Sequence, residues 1–342
     1  MNPVATKPLG RSALRLPALG FGGAALGNIA DEITEAQAEA TLAAAWNAGI
    51  RYFDTSPWYG RGLSERRLGS FLLHQPAEQR IISTKVGRLF SAPADPAAFA
   101  RSERAWPGGL HFEHRHSYTY DAIMRSYEDS LQRLGVNRVD ALLVHDLDAD
   151  NVGGDERVKA HLDELSRGGF RALEELKEAG LISAIGVGIN FNGLIPTFLA
   201  RFALDFFLVA RPYTLVEQDV LDAEFPACAA RGVGVVIGAV FATGILATGP
   251  VEGARYNYHA ATAGELERVR RMQAVCARHG VPLAAAALQF PLHHPIVASV
   301  IPGAFAPAQV VENVAAMRHE IPDALWHELK AEKLIRADAP TP

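Results

Sequence analysis

The strongest constraint in this chain is an alternation: eight short apolar, β-branched runs, each followed by a stretch with helical periodicity. The runs lie at 18–22, 51–54, 81–85, 139–145, 184–188, 206–210, 235–239 and 298–301. The helical patterns lie near 35–48, 63–73, 119–134, 168–179, 193–202, 219–231, 263–279 and 307–317. Within 121–134, for example, Ile123, Tyr127, Leu131 and Leu134 share one face. Strands that are apolar throughout are buried on both sides and therefore parallel. Eight such β–α units predict an α/β fold, a closed (β/α)8 barrel. A doubly wound dinucleotide-binding sheet would need GxGxxG between its first strand and helix. Residues 19–23 read Leu-Gly-Phe-Gly-Gly instead, with no helical pattern close behind. No repeat and no polar linker divides the 342 residues, so one domain spans 1–342. The longer segments at 88–117, 146–166 and 247–262 read as irregular βα loops, on the barrel face where sites are built.

Composition narrows the function classes. With 33 Lys and Arg against 38 Asp and Glu the net charge is −5, which does not favour nucleic-acid partners. The short charged runs 65–67 and 268–271 read as exposed helix faces. Cys228 and Cys276 lack a CxxC or a histidine at ligand spacing, so neither a disulfide framework nor a metal site is expected. Residues 232–251 are uncharged, but Gly232, Gly234, Gly238, Gly244, Gly249 and Pro250 interrupt them. A buried strand running into a glycine-rich loop fits this better than a membrane span. No apolar leader segment is visible in the first twelve residues, and the expected compartment is the cytoplasm.

Titratable residues end three successive strands: Asp54 closes IRYFD, Lys85 closes IISTK and His145 closes ALLVH. Tyr59 follows Asp54 in the loop leaving the second strand. Strand ends converge on one mouth of a barrel, so the four groups can meet there. A phenol with a pKa of about 10 is too weakly acidic to exchange protons near neutrality unaided. An adjacent ammonium favours the phenolate, a carboxylate can hold the ammonium, and a histidine can orient a substrate oxygen. Such a set moves a proton on or off a carbinol oxygen, and the accompanying hydride requires a cofactor. Taken singly, each residue has a structural reading: a buried ion pair, a core-edge aromatic, or a hydrogen bond between His145 and Asp146. Their combination points to chemistry.

GIRYFDTSPWYG (49–60), SERRLG (64–69), ISTKVG (82–87), DSLQRLGVNRVDALLVHDLD (129–148), AIGVGIN (184–190) and VIPGAFAPAQVVEN (300–313) resemble, in this order, the motifs of the aldo-keto reductase family. The resemblance implies a barrel core over about 9–317, a hairpin at 7–17 closing its floor, and a helical tail at 318–342. It carries the catalytic roles onto Asp54, Tyr59, Lys85 and His145. It implies a nicotinamide dinucleotide held by Gly22, Gly23, Asp54, Asn190, Phe241, Thr243, Gly244, Gly303, Gln309, Glu312 and Asn313. Trp58 and Trp106, with Tyr59 and His145, would face the substrate, the two indoles as an apolar wall for a sugar ring. Within the family, SPWYG, HDLD (145–148) and RPYTLVEQ (211–218) are most similar to NAD-dependent aldose 1-dehydrogenases of the L-fucose or D-threo-aldose type. L-galactose and pyridoxal 4-dehydrogenases are similar too. NADPH-driven reduction of small carbonyls and a nucleotide-sensing regulatory role are the alternatives, the second disfavoured by the intact tetrad.

Three positions depart from the family pattern. Gly188-Ile189 stand where Ser-Asn is usual, with Asn190 one place later as the substitute for the carboxamide contact. Ala210 replaces the usual glutamine. Ala239 replaces the stacking aromatic, with Phe241 as its replacement. Many NADP-using members carry Lys-Ser and then Arg where this chain has Gly303, Ala304 and Gln309, which implies NAD.

Overall fold

The computed structural model describes residues 1–29, 31–102, 106–257 and 259–342. An antiparallel hairpin, β1 (Thr6–Pro8) and β2 (Arg15–Pro17), opens the chain. After it come β3 (Phe21–Gly22), β4 (Tyr52–Asp54), β5 (Ile81–Val86), β6 (Arg88–Ser91), β7 (Glu113–His116), β8 (Ala141–His145) and β9 (Ala184–Ile189). The remaining strands are β10 (Phe206–Ala210), β11 (Gly234–Gly238), β12 (Arg255–Tyr256), β13 (His259–Ala260) and β14 (Val297–Val300). The first helices are α1 (Glu35–Asn47), α2 (Leu63–Leu72), α3 (Pro96–Ser102), α4 (Tyr120–Leu134), α5 (Ala149–Val152), α6 (Asp155–Glu164) and α7 (Phe170–Glu178). They are followed by α8 (Ile195–Leu199), α9 (Glu224–Arg231), α10 (Ile245–Thr248), α11 (Ala263–Arg278), α12 (Leu283–Gln289), α13 (Pro307–Arg318) and α14 (Asp323–Ala331).

Eight strands form one parallel sheet in the order β3-β4-β5-β8-β9-β10-β11-β14. It closes on itself: Gly20 N donates to Val300 O at 2.9 Å, Val300 N donates to Ala18 O at 2.9 Å, and Leu19 bridges Val300 in parallel. The expected (β/α)8 barrel is the fold. Local sequence sets the helix limits. Thr119 caps α4 by accepting from Ala122 N, and Gly135 ends it at φ +64°. Ile123, Tyr127 and Leu134 face the core from that helix, and Leu131 is half-buried beside them.

Period-two alternation sends every second strand residue into the barrel. Tyr52, Ala141, Leu143, Ala184, Phe206, Leu208, Val236 and Ala298 form this inner cluster together with Leu9 and Leu16 of the hairpin. The hairpin therefore closes the barrel floor. Gly10 allows it to seat: φ is +56°, and a Cβ there would stand 2.3 Å from Asp205 O.

Several expectations need correction. The segment 88–117 is not irregular, because β6 pairs antiparallel with β7, from Arg88 opposite His116 to Ser91 opposite Glu113. The segment 146–166 is largely helical, through α5 and α6. The 247–262 segment contains the two-residue ladder β12–β13. Of the run 65–67 only Arg66 is exposed. Glu65 is fully buried, accepting from Thr84 Oγ1 at 2.7 Å and Arg133 Nε at 2.5 Å. Buried Arg67 donates to Leu26 O, Asn28 Oδ1 and Ile33 O, each at 2.8 Å. Arg268, Arg270 and Arg271, by contrast, are exposed on α11. The uncharged stretch is β11, a turn and α10, and no helix among the described residues is long and apolar enough to cross a membrane. Both cysteines are buried and free, their thiols pushed up to about 12 by burial.

Candidate active site

The inner rows of three strands change character at their C-terminal ends. Tyr52 is followed on the same face by Asp54, Ser83 by Lys85, and Leu143 by His145. Register brings these ends side by side, with Asp54 opposite both Gly22 and Ser83, and His145 opposite Gly188. Gly188 lies beside them: a Cβ there would stand in ordinary contact, 3.6 Å from His145 Cδ2 and 3.8 Å from Lys85 Cε.

Asp54 and Lys85 are a buried pair. Lys85 Nζ donates to Asp54 Oδ2 at 2.7 Å and to Thr55 O at 2.7 Å. Ser83 Oγ donates to Asp54 Oδ1 at 2.7 Å. Burial raises the Asp54 carboxyl pKa, while the Lys85 ammonium and the Ser83 hydroxyl pull it back. Both carboxylate oxygens are thus committed and the side chain is 2% exposed. Asp54 therefore holds the Lys85 ammonium in place. The Lys85 ammonium sits 4.7 Å from the centroid of the Tyr59 ring. Tyr59 starts a tight turn whose next residues, Gly60 and Arg61, both have positive φ. The His145 ring meets that of Tyr59 edge-on, with centroids 5.9 Å apart.

Trp106 flanks Tyr59 at 5.8 Å and meets Trp58 edge-on at 5.8 Å, so the two indoles and the tetrad form one cluster. Trp106 is buried, and its Nε1 has no hydrogen-bond partner among the described residues. A buried N–H left unpaired beside the Tyr59 ring is uncommon, because leaving it so costs the hydrogen bond it would make. Residues 103–105, part of the loop expected to carry Trp106, lie outside the described residues.

The positions expected at a dinucleotide share the same face. Gly22 ends β3, and Gly303 follows β14 so closely that its Cβ would stand 3.3 Å from Gly22 O. Gly23 N donates to Asp54 O at 2.7 Å. Beyond β11, Ala239, Ala242 and Thr243 all adopt positive φ before Gly244 at +104°, a concentration of strain in the loop that carries Phe241. Strain of this kind is characteristic of ligand-holding loops. Gln309, Glu312 and Asn313 lie on α13, where Gln309 Oε1 accepts from Phe305 N at 2.7 Å. Asn190 donates through Nδ2 to Asp146 Oδ1 at 2.7 Å, and its backbone oxygen accepts from Arg211. Its Oδ1 has no partner among the described residues.

Sequence reasoning missed Arg88 and Ser56, and read Asp146 only as a structural hydrogen-bond partner of His145. Ser56 Oγ and Arg88 Nη1 both lie 3.0 Å from His145 Nδ1. Asp146, at φ +44°, pairs with Arg88 at 3.2 Å and lies 3.3 Å from His145 Nε2. Burial, then Arg88, Lys85 and His116, hold the His145 pKa well below its ordinary value, so the ring is neutral. The sequence signal for Arg88 was its place three residues after Lys85, hidden because the segment carried no strand pattern.

Compared with known proteins, the chain matches the model of the Aldo/keto reductase family over residues 18–332. It is 42% identical to a pyridoxal 4-dehydrogenase of Microbacterium luteolum, covering 96% of this chain and 97% of that protein. It is 38% identical to a D-threo-aldose 1-dehydrogenase of a Pseudomonas species, covering 98% and 99%. Among solved structures, the holo form of an aldo-keto reductase from Bacillus halodurans superposes with a TM-score of 0.74 at 26% identity, covering 98% of each chain.

Proposed function

The chain belongs to the aldo/keto reductase family, oxidoreductases acting on CH–OH groups with a nicotinamide cofactor, and on that premise we propose that it oxidises an aldose at C1. In this reading the cyclic hemiacetal becomes the lactone, with NAD⁺ as hydride acceptor. The observation that carries it is the Lys85 ammonium, fixed by Asp54 and aimed at the Tyr59 ring. The ammonium favours the phenolate, and Tyr59 takes the proton of the anomeric hydroxyl. His145, neutral, offers a hydrogen bond to the same oxygen. The indoles of Trp58 and Trp106 supply a face for the sugar ring, and Trp106 Nε1–H is available to one of its hydroxyls.

The residues present suit a dinucleotide. The free Oδ1 of Asn190 can accept from a carboxamide, the glycines 22 and 303 let the first and last strand ends pack closely at the mouth, and Glu312 is an exposed acceptor for an adenine amine. A bound nicotinamide supplies the site with a hydride acceptor. NAD rather than NADP is favoured because Gly303 and Gln309 offer no cation to a 2′-phosphate.

A second reading has support in the 42% identity to a pyridoxal 4-dehydrogenase. Pyridoxal closes its aldehyde on the neighbouring hydroxymethyl group, so it presents the same reacting unit, a cyclic hemiacetal on a flat ring. The test is a panel of free aldoses, their methyl glycosides and pyridoxal, read by the appearance of reduced cofactor. Free aldoses should turn over and methyl glycosides should not, because blocking the anomeric oxygen removes the proton Tyr59 takes. Turnover of pyridoxal with no response to any aldose replaces the first reading with the second. Turnover of methyl glycosides overturns both.

A further inference from the structure

Histidine 145 sits in a mouth crowded with donors, and one of them dictates its protonation. Gly87, at φ +113°, turns the chain sharply after β5; a Cβ there would stand 2.3 Å from the Tyr118 ring. The turn folds Arg88 back over the barrel, where the residue is 4% exposed. Its guanidinium reaches His145 Nδ1 at 3.0 Å, Asp146 Oδ2 at 3.2 Å and Asn151 Oδ1 at 3.1 Å, and lies 4.8 Å from the Trp58 ring centroid.

We propose that Arg88 is a positioning residue that fixes the tautomer of His145, with the proton on Nε2 and Nδ1 bare. A guanidinium has only donors and keeps its proton throughout the accessible pH range. The ring nitrogen it faces must therefore accept, and a neutral imidazole then carries its one proton on the other nitrogen. Ser56 Oγ also faces Nδ1, but it accepts from Trp58 N at 3.0 Å and its hydroxyl can rotate to suit either tautomer. Arg88 cannot, so Arg88 decides.

The surroundings point the same way. Lys85 approaches from β5 and His116 from β7, Tyr59 covers one edge, and Asp146 is the anion at Nε2. The Asp146 charge is shared with Arg88 and Asn190. Protonating His145 would set two N–H donors and two cations face to face at Nδ1, and burial opposes the charge as well. The 3.3 Å separation from Asp146 is long for a charge-assisted bond, so Nε2–H remains available to a substrate oxygen. His145 is then a hydrogen-bond donor and never the acid, and the proton passes through Tyr59.

This assignment rests on the reading that His145 faces the substrate, and two readouts separate them. The first is the tautomer, read in the ligand-free protein by two-bond ¹⁵N–¹H spectra with histidine labelled, the His145 signals being those lost in His145→Gln. Between pH 5.5 and 8.5 the wild type should show Nε2–H without titration. Arg88→Gln should titrate within that window and populate Nδ1–H, and Arg88→Lys, which keeps a donor-only cation, should restore the wild-type pattern. The second readout is the pH profile: Arg88→Gln should gain an acid limb, losing tenfold or more in kcat at pH 6 and less at pH 8.5. The double variant Arg88→Gln/Asp146→Asn strands no buried carboxylate and serves where the single variant does not fold. An unchanged Nε2–H tautomer without titration in Arg88→Gln overturns the proposal. Wild-type turnover in His145→Gln instead overturns the role of His145 in the reaction and leaves the tautomer result standing.

Discussion

At neutral pH a free phenol holds its proton, its pKa of about 10 lying some three units away. Tyr59 can serve as a base only through what stands beside it, and the Lys85 ammonium, 4.7 Å from the ring centroid, is that neighbour. Removing either group should therefore act on turnover rather than on binding. Tyr59→Phe should lose several powers of ten in kcat/KM, since acid–base catalysis alone is worth about 10²–10⁴ and the phenol also places the oxygen. Dinucleotide affinity, followed by cofactor fluorescence, should stay within a few-fold. Activity near wild type would remove Tyr59 from the reaction. Lys85→Met should be similarly slow, but it leaves the buried Asp54 carboxylate unpaired; Lys85→Met/Asp54→Asn separates lost chemistry from lost stability. Asp54, Lys85 and His145 were legible as neighbours because strand-end position and residue type are both written in the sequence, and Tyr59 because it follows Asp54 by five residues in the adjoining loop. Arg88 and Ser56 were not, and Asp146 was read only as a neighbour of His145, because the role of each depends on which ring nitrogen it reaches.

Elements whose burial is periodic were readable, and elements held by turns and polar contacts were not. The eight barrel strands lie within about three residues of their expected limits, because their apolar runs are buried on both faces. The hairpin β6–β7 escaped notice since RLFS and EHRH show no apolar alternation. Helix α6, DERVKAHLDE, presents only Val158 and Leu162 as large apolar residues, and Leu162 alone of the helix is buried. Glu65 and Arg67 misled for the opposite reason: charge suggests solvent, yet each is buried with full hydrogen bonding, tying α2 to β5, to α4 and to the loop before α1. Helix α13 carries a prediction of its own. Gln309 lies in its first turn and Arg318 at its last residue, nine positions on. At 1.5 Å per residue that is about 13 Å, beyond the reach that would let Arg318 stand in for a cation beside Gln309. The wild type should therefore prefer NAD⁺ by at least about tenfold in kcat/KM, each decade being 1.4 kcal/mol. Gly303→Lys/Gln309→Arg should move the ratio toward NADP⁺. A wild type that already prefers NADP⁺, or a double variant with an unmoved ratio, would count against the NAD assignment.

For the whole molecule, the buried histidines set how stability responds to acid. Burial, aided by Lys7, lowers His293 and His294 to about 4. Burial and then Arg88 lower His116 to about 3, and His145 is held well below its ordinary value. An unfolded chain returns each ring to about 6.5. Above that pH both states are neutral at these sites and the contribution of the neutral rings to stability is complete. As pH falls below 6.5 the unfolded chain binds protons that the folded chain refuses, so stability falls with pH down to the folded values. The raised carboxyls of Asp54, Asp140, Asp148 and Glu217 work in the other direction, because folding favours their protonated forms. Their opposing effect grows as pH falls toward the carboxylate range, so the histidines weigh most at the upper end of the interval from about 6.5 to 5. Urea midpoints measured across that interval should decline steadily toward pH 5. His293 Nε2 has no hydrogen-bond partner among the described residues, so His293→Gln removes one titrating ring without breaking a side-chain bond and should make the decline shallower. Midpoints that stay level from pH 7 to 5 in the wild type would mean that these rings are solvated and protonate freely in the folded chain.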